Sequence, residues 1–295
     1  MNLKEARKEI RHIDEEMAGL FEKRMELAVE VADYKRKTGL AVEDLEQERH
    51  ILDECANLIE NDEIRPYYLQ FLQGTMDVSK RWQHKLIEGM RVACCGDEGS
   101  LDYAAARNIF PEAELASCEN YREAYCSVED GKCDIVVMPF ENGYGDEIGS
   151  VIDLIYNGNL HVNAVHDIEI NPGEWGIRSH VNEEARRYAV LSPVENRTEN
   201  KQDTGAFLLM FTVKDEAGGL AKAINTISVF NFNMRVLRSR PMKDHQWHYY
   251  FYAEAIGNDR SDSGKRMLNA LRATCAEAKV VGRYPANSKV IKITK

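Results

Sequence analysis

Residues 3–37 read LKEARKEIRHIDEEMAGLFEKRMELAVEVADYKRK, with neither a proline nor an internal cap. Leu3, Ile10, Ile13, Met17, Leu20, Phe21, Leu27, Ala28, Val31 and Tyr34 recur in steps of three and four, the spacing of one buried helix face. The pattern predicts a single long helix. By the same count Arg7, Arg24 and Lys35 fall on that face, where Leu or Ile is expected. A buried, unpaired charge costs several kcal/mol. Three such groups on one seam predict an anionic ligand. The competing reading is structural: long cationic stems lie on apolar surface and reach water, or an acid such as Glu48 pairs with them.

Two further helices are predicted. Residues 44–61 carry a seam of Leu45, Glu48, Leu52, Cys55 and Ile59, which Glu48 interrupts. Residues 63–87 carry Tyr68, Leu72, Thr75, Met76, Ser79, Gln83 and Leu86, and Ser79 and Gln83 stand four apart, one above the other. Three helices that each place polar groups at core positions predict a polar cavity inside a helical bundle. Arg24 and Lys35 lie about 16 Å apart along their axis, a span that brackets a small dicarboxylic acid. Arg7 lies roughly 25 Å from Arg24 and reaches only a second copy of the site on a partner chain. So long a helix is too much for one three-helix domain. An intertwined homodimer or higher homo-oligomer with shared sites is expected.

Composition narrows the class. A chain of 295 residues has room for two or three domains, and 44% hydrophobic content supports real cores. No apolar stretch approaches a membrane span, no leader is expected before residue 3, and a net charge of −11 argues against nucleic acid. The seven cysteines are odd in number and lack a CxxC pair, which predicts reduced thiols and a cytoplasmic protein. His245 and His248 stand three apart without companion ligands, so a strand surface is expected there and no metal site.

The run Arg7-Lys8-Glu9-Ile10, Asp14-Glu15, the stretch 23–31, Lys35 and the stretch 44–49 resembles the all-helical chorismate mutases, over residues 3–88. The resemblance implies conversion of chorismate to prephenate without a cofactor. Matched position by position, Arg7 (from the partner chain), Arg24, Lys35, Glu48 and Gln83 fall on the family's catalytic positions, and Asp44 and Ser79 on substrate-binding ones. Gln47 occupies a second-helix position that the best-known members fill with Arg. A one-residue gap leaves two alignments of the third helix open, Ser79 with Gln83 or Val78 with Trp82.

From Met90 the pattern changes to strand 91–95, the turn Gly96-Asp97-Glu98-Gly99-Ser100, helix 101–109, helix 120–130, strand 134–138, loop 139–145, helix 148–157 and strand 160–170. This alternation predicts an α/β unit with a largely parallel sheet. The glycine turn is read first as structural and second as an anion cradle. The order resembles prephenate dehydratase: Gly96–Ser100 matches its glycine turn, Pro139-Phe140-Glu141-Asn142 its Pro-Ile-Glu-Asn loop, and 160–162 leads into its crossover strand. In that family a second lobe follows. Here the returning segment 186–192 comes almost at once, which implies a truncated, periplasmic-binding-protein-like single lobe. The Thr-Arg-Phe signature reads Arg186-Arg187-Tyr188 without the proton-donating Thr, and Gly143 replaces the serine after Glu-Asn. A catalytically inactive remnant is expected.

Residues 204–285 predict strand 206–213, helix 218–230, strands 233–240 and 247–256, helix 263–278 and strand 279–284. This βαββαβ order resembles the ACT domain, a ligand-sensing module. Gly218, Gly219 and Leu220 match its Gly-Ala-Leu motif, and Arg238, Ser239, Arg240 and Pro241 its Glu-Ser-Arg-Pro motif. The match implies a phenylalanine effector, and Arg238 reverses the charge of the motif's Glu. The expected organisation is a multidomain chain: an all-α mutase bundle (1–89), a truncated α/β domain (90–193) and a βαββαβ ACT domain (194–295). Three functions stay open: a chorismate mutase with a regulatory tail, a bifunctional mutase–dehydratase, and a non-enzymatic aromatic amino-acid sensor or scaffold.

Overall fold

The computed structural model describes residues 2–38, 40–141, 148–170, 185–195, 205–242, 249–286 and 290–293. Gly143, His245 and His248 lie outside these residues. The chain divides into two compact units, Met1–Arg91 and Val92–Lys295.

The first unit holds α1 (Leu3–Thr38), α2 (Leu45–Ala56) and α3 (Arg65–Glu88). Lys35, Arg36 and Lys37 occupy the last turn of α1, where cations complement the helix dipole. Asp44 caps α2 by accepting from the Gln47 N–H at 3.0 Å. α2 stops at Ala56, short of the expected 61. Two donors end it: the Asn57 side chain reaches the Asp53 carbonyl, and the Arg65 guanidinium takes the carbonyls of Ala56 and Ile59, each at 2.9 Å. α3 opens with proline in its first turn, the place where a missing N–H costs nothing.

The apolar stripe of α1, expected to be buried, is exposed in the single chain. Only Ala28 and Ala32 are buried along the helix, whereas Leu20 is 65% and Leu27 62% exposed. Length explains this. With 36 residues α1 is about 54 Å long, and α3 with 24 residues about 36 Å, so the chain's own helices cannot cover it.

The second unit comprises β1 (Arg91–Cys95), α4 (Leu101–Ile109), β2 (Glu114–Cys118), α5 (Tyr121–Glu129), β3 (Ile135–Glu141), α6 (Gly149–Asn157), β4 (His161–Ile170), β5 (Ala185–Ser192), β6 (Gly205–Thr212), α7 (Gly219–Val229), β7 (Asn233–Pro241), β8 (Tyr249–Ile256), α8 (Asp262–Thr274), β9 (Glu277–Pro285) and β10 (Val290–Ile293). The strands form one sheet in the order β2-β1-β3-β5-β4-β9-β6-β8-β7, with β10 beside β4. It is mixed rather than largely parallel. β1 and β3 run parallel, but the returning strand β5 enters antiparallel between β3 and β4. Strands β6 to β9 reproduce the expected βαββαβ order, with antiparallel pairing of β6 to β8, β6 to β9 and β7 to β8.

β6 shows why the expected boundary near 193 does not separate two cores. Its apolar run alternates faces, as a strand must. Ala206, Leu208 and Met210 join a core with α5, α6 and the strands β3 to β5, while Phe207, Leu209 and Phe211 join a second core under α7 and α8. Tyr156 of α6 stacks on Tyr250 of β8 with ring centroids 4.1 Å apart. The α/β and βαββαβ segments therefore share one interior.

Candidate active site

In the first unit a cavity of about 140 Å³ opens between the three helices. Arg24 and Lys35 reach it from α1, Asp44, Gln47, Glu48 and Ile51 from α2 and its cap, and Met76, Ser79, Lys80 and Gln83 from α3. Seven of the eight residues expected in a mutase site are thus brought together. The eighth, Arg7, is exposed near the far end of α1 and does not line the cavity. Of the two alignments left open for α3, the lining residues are Ser79 and Gln83. Trp82 is 36% exposed and neither it nor Val78 reaches the cavity.

The cations are half-buried and, among the described residues, hold no carboxylate. Arg24 Nη1 donates to the Thr75 carbonyl at 3.3 Å, and Lys35 Nζ to the Val42 carbonyl at 2.7 Å. Gln83 is buried, and its amide oxygen has no hydrogen-bond partner among the described residues. A buried polar atom left unpaired is costly, so the arrangement favours a ligand that supplies a partner. Glu48, by contrast, is already engaged. Lys80 Nζ lies 2.9 Å from Oε2 and 3.1 Å from Oε1. Burial works against the Lys80 charge, but hydrogen bonds and charges from Glu48 and Asp77 outweigh it and hold its pKa above the ordinary lysine value. Sequence reasoning missed Lys80 because it lies one position beyond the seam that carries Ser79.

The second unit treats its matching residues differently. Arg187 donates to Glu141 Oε2 and to Glu254 Oε2, each at 2.7 Å, with Asp167 3.6 Å away. Its guanidinium also faces the Phe140 ring at 5.0 Å. Burial opposes its charge, yet the two glutamates hold its pKa above the usual arginine value. Burial in turn raises Glu141, against the pull of Arg187. Tyr188 donates to Asp102 Oδ1 at 2.7 Å and Tyr121 to Oδ2 at 3.1 Å. The glycine turn has a local cause as well. Gly96 has φ +83°, and a Cβ there would collide with Ser100, the residue that caps α4 by accepting from the Tyr103 N–H.

The two expected effector motifs lie toward the same end of the sheet, since Thr212, just before the Gly218 turn, and Arg240 both stand opposite Tyr250. They are not brought onto one face. Arg240 turns toward α6, with Nε 3.0 Å from Asp153 Oδ1, while Gly218, Gly219 and Leu220 start α7 on the other face. Arg238 and Ser239 are exposed on β7, and Pro241 lines a cavity of about 780 Å³ beside α5 and α6. Among the described residues no three His, Cys, Asp or Glu side chains converge on a metal position, and no helix is long and apolar enough to cross a membrane.

Comparison with known proteins gives two family matches: chorismate mutase type II over residues 6–84 and prephenate dehydratase over residues 92–173. The second match ends just beyond β4, where the chain turns back. The bifunctional chorismate mutase/prephenate dehydratase of Aquifex aeolicus (strain VF5) is 24% identical over 362 residues, covering 96% of this chain and 98% of that protein. That alignment is longer than the 295 residues of this chain, so the relative holds stretches that this chain lacks. Among solved structures, prephenate dehydratase from Streptococcus mutans matches with a TM-score of 0.54 at 23% identity, over 68% of this chain and 99% of that one. The Arthrobacter aurescens prephenate dehydratase in complex with L-Phe matches with a TM-score of 0.57 at 14% identity, over 68% and 93%. These two likenesses concern the fold. The chain thus joins a chorismate mutase type II region to a prephenate dehydratase-like region, and along nearly its whole length it is similar to bifunctional chorismate mutase/prephenate dehydratases.

Proposed function

We propose that the first unit is a working chorismate mutase and that the dehydratase-like region has no activity of its own. The observation that carries the first half is the cavity: two cations whose partners among the described residues are backbone carbonyls, beside the buried Gln83 amide. A Claisen rearrangement suits such a site. The ether C–O bond of chorismate breaks as a C–C bond forms within the same molecule, and no proton or group passes to the protein. The site must hold the compact diaxial conformer and stabilise the charge that separates across the breaking bond. Arg24 and Arg7 of the partner subunit grip the two carboxylates in forked geometry. Lys35 and the Gln83 amide donate to the ether oxygen as it turns negative. Glu48, with the backbone near Asp44, receives the ring hydroxyl, and Gln47 and Ser79 complete the wall.

The shared site requires a homodimer at least. Its support is the uncovered stripe of α1, where each large apolar side chain gains roughly 1.5–3 kcal/mol on full burial. Replacing Leu20 and Leu27 by Asp is expected to give a monomer without turnover, read by sedimentation and by chorismate depletion. A dimer of unchanged activity would end the shared-site reading.

Inactivity of the second region is supported by Arg186 at the Thr position, by Arg187 held between two glutamates and by the short return after β4. A bifunctional reading is favoured by the names of the relatives. One assay separates them: with chorismate as substrate, prephenate accumulates under the first reading and phenylpyruvate appears under the second. A non-enzymatic sensor or scaffold predicts neither product; Gln47, a neutral amide at a position of expected charge, is the feature on its side. The βαββαβ segment is assigned as an ACT-type regulatory module with phenylalanine as candidate effector, in a cytoplasmic enzyme of aromatic amino-acid biosynthesis. Absence of heat on titrating millimolar phenylalanine removes that assignment.

A further inference from the structure

Glu48 is the acid that breaks the apolar stripe of α2, and Lys80 meets it across the seam with α3. The ammonium spans both carboxylate oxygens, and the two side chains are only 15% and 23% exposed. Asp77, one turn earlier on α3, holds Lys80 from the other side at 3.1 Å. The remaining charged groups around this carboxylate are otherwise occupied. Arg24 and Lys35 of α1 donate to backbone carbonyls, Asp44 caps α2, and His84, one turn beyond Lys80, lies 2.7 Å from Glu43. Among the described residues Lys80 is therefore the cation paired with Glu48.

We propose that Lys80 is a positioning residue for the mutase site: its two-point grip fixes the Glu48 carboxylate in one orientation at the cavity wall, so that it acts on the substrate through Glu48. The inference rests on the mutase reading given above. A mostly buried carboxylate without a cation is pushed toward protonation, and a protonated one accepts a hydroxyl hydrogen bond more weakly. Each carboxylate oxygen has two lone pairs. Lys80 takes one from each and leaves the others for a substrate hydroxyl.

The test uses the full chain, chorismate, and the pH dependence of kcat/KM. Lys80→Met keeps the stem and removes the charge. Its acid limb is expected to move upward by about one pH unit or more, the usual effect of losing an opposite charge at this range, with the loss of rate greatest at low pH. Lys80→Arg restores the limb. Adding Glu48→Gln to Lys80→Met removes the displaced limb and so assigns it. Should the methionine variant fail to fold, Lys80→Gln, which keeps a hydrogen bond without the charge, reads the same limb. An unmoved limb in an active, folded variant overturns the role of Lys80 alone, as does an arginine variant no better than methionine. A wild-type chain that leaves chorismate untouched overturns the mutase reading and this inference with it.

Discussion

Arg24 and Arg187 are both partly buried guanidinium groups, and their neighbours set them to different tasks. Arg24 has a carbonyl at 3.3 Å and an open cavity beside it. Arg187 has two carboxylates at 2.7 Å and a third within 3.6 Å, more negative charge than its own. A cation held only by a dipole keeps its charge to offer to an anion. One enclosed by acids has become part of the frame, because removing it would take from the buried Glu141 the guanidinium it is bonded to. Residue type alone does not separate binding from bracing; the surrounding charge does.

The sharpest way to break this comparison is to remove each cation in turn. Arg24→Ala or Lys35→Ala is expected to lower kcat/KM for chorismate by about 10²–10³ or more, since each removes charge stabilisation realised in the transition state. The melting temperature should hardly move, because no buried acid loses its partner. Full turnover in either variant would mean that the cavity cations do not touch the substrate. Arg187→Met is expected to act the other way round. It should cost about 3–5 kcal/mol in urea denaturation of the second unit, with chorismate turnover unchanged. Glu254 would still have Arg235 at 3.6 Å, so Glu141 should bear most of the damage. Adding Glu141→Gln should then recover much of the loss. A stable Arg187→Met variant would return Arg187 to the list of groups free to bind a ligand.

The first cation site was largely legible in the sequence, and the second was not. The reach of α1 and the spacing of Ser79 and Gln83 one turn apart follow from local periodicity, which one helix decides by itself. Lys80 was missed because its importance lies in a partner 32 positions away. The same holds for the sheet. β2 has no β-branched or aromatic residue to mark it as a strand, and β10 has only four residues. The direction of β5 depends on the chain's return and not on its own residues. The common interior of the α/β and βαββαβ segments rests on contacts such as Tyr156 with Tyr250, or Arg240 with Asp153, which join residues from separate predicted domains. No period within either segment encodes them.

The smallest effect sharpens the comparison for acids instead of cations. Glu48 is held by an ammonium at a cavity; Asp102 is held in the core by two tyrosine hydroxyls. Burial raises the Asp102 pKa above its ordinary value, although Tyr188, Tyr121 and the charge of Arg186 pull it down. Between the unfolded and the folded pKa the folded state binds more protons than the unfolded one. Stability therefore falls as pH rises through that window and is level above it. Asp102→Asn keeps an acceptor for one tyrosine and cannot ionise, so it lacks this slope. The stability of the variant relative to wild type should accordingly increase as pH is raised from below the ordinary aspartate value toward neutrality. Glu141, also raised by burial, is present in both chains and cancels in the difference. Urea melts at a series of pH values measure it. A difference that stays flat would mean that the tyrosine hydroxyls and Arg186 balance burial, and one that decreases with rising pH that they outweigh it, so that neutral donors suffice to keep a core carboxylate charged.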